Sequence, residues 1–393
     1  MTAMARPAVR GPAIALLYGS ALLQGLTLVS FPAAATILKT AGLSDAAFGA
    51  IFLPQVAAAV LGALAGGTLS SRIGLFPVLV IALIANAGSQ LLLAMATAIA
   101  PALLTPCLMI GTALLGLGFG LAGAPFNSLP GRLFPGRGDT ALVVAHSSLG
   151  AGLALGPLLL QSLMSAGAWR ADPLILAGTA TLLALLTARA RDPMARQAQA
   201  MREPVSLTQP ALLLPCAIAV LYAFAEGTLS NWIVVYVVQD RGLAQVTAST
   251  ALSAFWLALV GGRLVASAVV VRIPAVLIWR SLPLGIMVAL LLLPHVSGDA
   301  QAIMAFGFAG LACSAFFPLS VATVSARFPQ AVPFVSSLLT AALMIGVGVG
   351  SFIIGGLSGV LGLDRLYLLS VAYPAAILLL MLLDARLTRR KIS

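Results

Sequence analysis

Apolar residues come along this chain in long runs separated by short polar breaks. Twelve runs stand out, at 13–38, 46–70, 75–99, 103–129, 141–165, 172–189, 212–238, 246–271, 276–297, 300–325, 333–360 and 365–385. Crossing a bilayer as a helix takes about 20 mostly apolar residues. The pattern therefore predicts an all-α membrane protein with twelve transmembrane helices. A transmembrane barrel would show alternating segments of about 10 residues, and the sequence has none. The first run is too long for a cleaved signal peptide, and a second span follows it closely.

Composition agrees. Hydrophobic residues make up 61% of the 393 and charged residues 8%, against about 25% charged in an average soluble domain. That is too little charge to cover a water-facing surface, which excludes a soluble multi-domain enzyme. A disordered chain is excluded too, since such chains are poor in apolar residues. Cys107, Cys216 and Cys313 all lie inside apolar runs and do not make a disulfide scaffold.

The net charge of +11 would suggest nucleic acid in a soluble protein. Here the basic residues sit in short loops between spans, where they act as topology signals. The expected partner is the lipid bilayer, not nucleic acid. With the N-terminus cytoplasmic, fifteen of the 21 Lys and Arg residues fall on the cytoplasmic side, and only Lys39, Arg170, Arg241 and Arg365 fall opposite. The bias predicts a multi-pass protein of a bacterial-type inner (plasma) membrane with both termini cytoplasmic.

The longest polar stretch, RARDPMARQAQAMREPVSLTQP at 189–210, follows the sixth run. It reads as a cytoplasmic linker, with room for a short amphipathic helix at the membrane surface. The chain then divides into a six-helix bundle at 1–188, the linker, and a second six-helix bundle at 211–393. The halves also repeat. An offset of 200 lays Gly42-Leu43 on Gly242-Leu243, Gly62 on Gly262, and Arg72-Ile73 on Arg272-Ile273. Further on, Arg132-Leu-Phe-Pro135 matches Arg327-Phe-Pro329, and Ser147-Ser148-Leu149 matches Ser336-Ser337-Leu338. Two parallel six-span repeats are a transporter architecture, with a solute site at the midplane and the halves rocking around it.

Polar residues inside the spans are the candidates for chemistry, because charge in hydrocarbon is costly. Glu226 lies about 14 residues into its span, or about 21 Å along a helix, near the midplane. It could carry a coupling proton or contact solute, or it could be the fixed half of an ion pair. Arg263 is the available partner, about 9 Å away along the membrane normal. It reads either as a cation lining a cavity or as a brace to the cytoplasmic loops. Trp256, seven residues before it, shares its helix face.

Gln24 lies near mid-depth in the first span and Gln55 at similar depth in the second. Each amide can contact solute hydroxyls or bond another helix. Asn127 and His146 flank the loop between spans four and five. They read as a mutual hydrogen bond, or with His146 as a titrating proton-transfer partner. His146 and His295 are the only histidines and cannot build a metal site alone. No metal and no cofactor is expected. Glycines at 116, 120 and 123, at 152 and 156, and at 346 and 350 mark faces where helices approach closely in lipid.

Twelve spans in a 6+6 split with a cytoplasmic linker resemble the major facilitator superfamily. The loop after the second span, Gly67-Thr-Leu69-Ser-Ser71-Arg72-Ile-Gly74, is similar to that family's pattern, with Ser71 where the pattern has an acid. Tyr222-Ala-Phe-Ala-Glu226-Gly227-x3-Asn231-Trp232-x3-Tyr236 resembles the seventh span of the fucose/glucose-type sugar porters. Phe255-Trp256-x5-Gly262-Arg263-Leu264 resembles the eighth. Phe126-Asn127 and His146-Ser-Ser-x-Gly150 are similar to the same branch, whose acids in spans one and four are not found here.

The resemblance implies a monomeric secondary transporter, not an enzyme. Its solute would be a small, polar, sugar-like molecule, with a proton or a sodium ion as the coupling partner. Asn231 and Trp232 join the solute-binding candidates on this basis. A bend at Gly227 would let Trp232 stack on a sugar ring, and otherwise Trp232 is packing. The alternative on the same fold is a proton-driven exporter of amphipathic compounds, which the aliphatic lining favours.

Overall fold

The structure is a computed structural model that describes residues 7–190, 210–328 and 332–390. Most of the 189–210 linker lies outside the described residues. Twelve described helices are long and apolar enough to cross a membrane. They are α1 (Gly11–Ala33), α2 (Asp45–Ile73), α3 (Leu75–Ala94), α4 (Pro101–Leu133), α5 (Thr140–Ser165) and α6 (Ala171–Ala188), then α7 (Leu212–Asp240), α8 (Gln245–Val269), α9 (Ala275–His295), α10 (Asp299–Ser325), α11 (Val335–Leu361) and α12 (Leu363–Arg386). Each corresponds to one of the twelve apolar runs. No strand occurs among the described residues. The physical reason is the missing water: backbone N–H and C=O groups in hydrocarbon must be satisfied within the segment, and a helix does so. Large side chains such as Leu61, Leu257, Val271 and Leu379 stay exposed, which costs nothing against lipid tails as apolar as they are.

Contacts divide the chain into two units. One is Met1–Leu43 with Pro54–Gln199, the other Ser44–Leu53 with Ala200–Ser393. The start of α2 thus clusters with the second unit, where Phe48 meets Trp232 edge-on at 5.2 Å. In the first unit α1 packs on α5 and α6, and α3 packs on α4 and α6. In the second unit α7 packs on α11 and α12, and α9 packs on α10 and α12. Every one of these pairs recurs six spans later. The repeat in the sequence therefore has a packing counterpart, and one of its anchors has a backbone cause. Gly42 and Gly242 both sit at positive φ, 103° and 64°, in turns that a side chain would strain.

Close helix approach holds these pairs together. A Cβ on Gly152 of α5 would come within 2.2 Å of the Leu22 carbonyl of α1, and one on Gly310 of α10 within 2.0 Å of the Phe255 carbonyl of α8. Hydrophobic burial gives no drive between helices in lipid, so van der Waals contact between backbones does the work.

Charges at the span ends also take part in the packing. In the second unit α7 ends in a π turn, Tyr236–Asp240. The next residue, Arg241, pairs with Asp364 of α12, whose other oxygen accepts from the Tyr236 hydroxyl at 2.7 Å. Arg327 holds Asp384 with two bonds of 2.8 and 2.6 Å. Both arginines were read from the sequence as loop charges only.

Replacing Gly152 with Leu forces α1 and α5 apart and is expected to cost about 1–3 kcal/mol, read as a lower melting temperature in detergent. Gly178→Ala, with no atom within 4 Å of the new Cβ, is the control and should hold or raise that temperature.

Candidate functional site

The site in the second unit begins with a proline. Pro318 has no N–H, so the carbonyl of Ser314, four residues back in α10, loses its helical donor. The helix is interrupted there, running Asp299–Cys313 and resuming at Phe316–Ser325. Two side chains from neighbouring helices bond carbonyls at this interruption. Arg263 of α8 donates from Nε to the Ser314 oxygen at 3.1 Å. Tyr222 of α7 donates its hydroxyl to the Cys313 oxygen at 2.8 Å. The Tyr222 ring is fully buried and stacks on Phe316 with centroids 4.5 Å apart. A gap in one helix thus fixes a phenol and a guanidinium on two others.

Glu226 lies one turn beyond Tyr222 on the same face of α7. Its carboxylate sits beside the Tyr222 hydroxyl and within electrostatic reach of Arg263. It is half-buried. Among the described residues no basic nitrogen comes within the 4.0 Å of an ion pair to it. Arg263 is exposed and engaged at Nε, which leaves its terminal nitrogens for other acceptors. Trp256, on the same face of α8, is half-buried and meets Phe255 edge-on at 5.2 Å. Its indole N–H is enclosed with no acceptor among the described residues.

The rest of α7 turns toward packing. Gly227 lies where a Cβ would come within 2.8 Å of the Val347 carbonyl of α11. It serves close approach, and the helix runs unbroken from Pro210 to Val235. The bend considered at Gly227 is therefore not there. Trp232 is fully buried in a T-shaped pair with Phe48. Asn231 is 7% exposed and donates from Nδ2 to Ser351 of α11 at 2.7 Å.

In the first unit, Gln24 is 1% exposed, and its Oε1 accepts from Asn86 of α3 at 2.8 Å. Gln55 is half-buried with an unpartnered Oε1. Asn127 and His146 are exposed and bond each other, Oδ1 to Nε2 at 3.1 Å. A cavity of about 640 Å³ lined by Thr36, Thr40, Thr97, Met164 and Trp169 holds none of the candidate side chains.

Two features went unread in the sequence. Asn86 and Gln90, four residues apart in α3, signal a polar face. Pro318 inside an apolar run signals a carbonyl seeking a donor. Among the described residues no cluster of His, Cys, Asp or Glu could hold a metal ion.

The sequence matches the family model described as Major Facilitator Superfamily over residues 15–309. A search of curated proteins gives no match. Among solved structures, the chain resembles a bacterial homologue of the human lysosomal transporter Spinster, in an inward-facing and occupied conformation. The TM-score is 0.78 at 15% identity, over 98% of each chain. It also resembles a variant of the E. coli fucose:proton symporter FucP, with a TM-score of 0.63 at 15% identity over 96% of this chain and 99% of that one. FucP in the outward conformation gives 0.60 at 16% identity over the same shares. At such identities the likeness is one of fold.

Arg263→Ala leaves the Ser314 carbonyl without its donor and should lower stability by about 1 kcal/mol. In a Pro318→Ala background residue 318 supplies its own N–H, and the same substitution should cost less. Thermal unfolding of the four proteins in a double-mutant cycle measures that coupling. Strictly additive effects would contradict the assignment.

Proposed function

The chain belongs to the Major Facilitator Superfamily, a family of transporters and not of enzymes, and on that premise we propose that it is a secondary active transporter of a small, polar, sugar-like solute, driven by a proton. One observation carries the coupling: among the described residues Glu226 is the only acid placed away from a span end, and it is half-buried with no direct ion pair to another described residue. A carboxylate held permanently by a cation would be inert. This one can change its protonation state as it is exposed first to one bath and then to the other.

The likeness to a fucose:proton symporter supports both the proton and the sugar-like solute. Deprotonated, Glu226 attracts the guanidinium of Arg263. Protonated, it releases the terminal nitrogens of Arg263 to bond solute oxygens. Solute and proton then favour the same state, which is the linkage a symporter needs. Trp256 offers an aromatic face and an N–H that lacks an acceptor. Asn127 and His146 keep open surface and are assigned to solute or proton handling. Gln24, Asn231 and Trp232 are enclosed and are assigned to holding helices together.

Alternating access comes from rocking of the bundles at 1–188 and 211–393 across the 189–210 linker. The protein acts as a monomer in a bacterial-type inner membrane, with both termini on the cytoplasmic side, as the distribution of basic residues supports.

A thermal-shift screen of sugars, acids and drug-like compounds identifies the solute, because binding stabilises the folded protein by mass action. In proteoliposomes, uptake of that solute should follow an inward proton gradient and alkalinise the outer bath. Glu226→Gln should abolish accumulation while leaving solute exchange in place. Full-speed accumulation by Glu226→Gln with an unchanged pH dependence would overturn the proposal, and proton release during solute exit would favour the exporter.

A further inference from the structure

The first unit contains a polar seam that the proposed coupling does not use. On α1 it consists of Ser20, Gln24, Thr27 and Ser30, and on α3 of Asn86, Ser89 and Gln90. All are sealed from the surface, at 3% exposure or less. Gln24 Oε1 accepts from Asn86 Nδ2 at 2.8 Å. Gln90 Nε2 donates to Ser30 Oγ at 3.0 Å, and Ser30 in turn donates to the Thr27 carbonyl at 2.7 Å. These bonds use only part of the hydrogen-bonding capacity present. Ser20 Oγ, Gln24 Nε2, Asn86 Oδ1, Ser89 Oγ and Gln90 Oε1 are all buried without a partner among the described residues.

That inventory has a chemical signature. Gln24 Nε2 is a donor, Asn86 Oδ1 and Gln90 Oε1 are acceptors, and the two serine hydroxyls can be either. A metal cation would satisfy the acceptors and be repelled by the amide N–H. Only a ligand that both donates and accepts satisfies the whole set. Exchanging the oxygen and nitrogen of both bonded amides, Gln24 and Asn86, does not alter the conclusion, because one donor and one acceptor are still left over. Gln90 is fixed separately, since Ser30 uses its own hydrogen on Thr27 and must accept.

We propose that the α1–α3 seam of the first unit is a binding site for internal water. One water beside the Gln24–Asn86 pair accepts from Nε2 and donates to Oδ1, closing a ring with the two amides. Another donates to Gln90 Oε1. Buried waters make about three hydrogen bonds to groups the protein leaves unsatisfied, and five atoms of that kind lie on these two helices. Gly118 of α4 leaves Asn86 space, since a Cβ there would come within 2.5 Å of Oδ1. The seam thus gives the first unit, whose α1 and α4 have no acid inside the membrane, a hydrated polar strip in an otherwise apolar bundle.

Radiolytic hydroxyl-radical footprinting of the intact detergent-purified protein tests the site, because radicals form wherever water resides. Leu23 and Leu83 flank the seam residues in sequence and are each 2% exposed, while Leu290 in α9 of the second unit is 0% exposed. Leu23 and Leu83 should be oxidised several-fold faster than Leu290. The double variant Gln24→Leu/Asn86→Leu should abolish that excess and lower the melting temperature. Equal, background-level oxidation of all three leucines would overturn the proposal. So would a higher melting temperature in the double variant, which is what removing dry, unsatisfied amides would produce.

Discussion

Pro318 cannot donate a hydrogen bond, and much of the second unit is arranged around that fact. The interruption in α10 leaves the Ser314 carbonyl without its helical donor, and the Cys313 carbonyl lies at the same break. An unmet carbonyl there is costly, so donors from other helices stabilise the break. Tyr222 and Arg263 do so. Both are then fixed in place, within reach of Glu226. The polar geometry around Glu226 is therefore in part a consequence of backbone accounting. The carboxylate stands near a cation that is already engaged at Nε, and among the described residues the two make no direct ion pair.

The two units reach similar packing by different polar means. Their helix pairs recur six spans apart, held where glycine lets backbones touch. The first unit fills its α1–α3 interface with amides and hydroxyls, whereas the second places a tyrosine, an arginine and an acid around a proline gap. A duplicated scaffold with one charged and one neutral interior suits a carrier in which a single titrating group sets the energetics. Charge in the membrane is costly, and one acid is enough to link proton and solute.

The twelve spans were legible because a spanning helix needs a long apolar run and little else. The acid was legible for the opposite reason, since Glu226 interrupts such a run. Trp232 and Gly227 were harder. Glycine in a helix can mark a bend or a close contact, and only the position of Val347, 120 residues further on, shows which. Gln24 had two readings because its partner Asn86 lies two spans away, at a separation of 62 residues. Pro318 could have been flagged from the sequence, but the donors for its orphaned carbonyl come from α8, and residue order does not reveal that. Composition and periodicity fix which segments are helices, while long-range hydrogen bonds decide what each polar residue does.

Infrared difference spectroscopy of the protein, with and without saturating solute, addresses the titration of Glu226 most directly. A carboxyl C=O band should change on solute binding, shift in deuterated water, and vanish in Glu226→Gln. A difference spectrum without any carboxyl band, or one left intact by Glu226→Gln, would mean that this acid does not exchange its proton during transport.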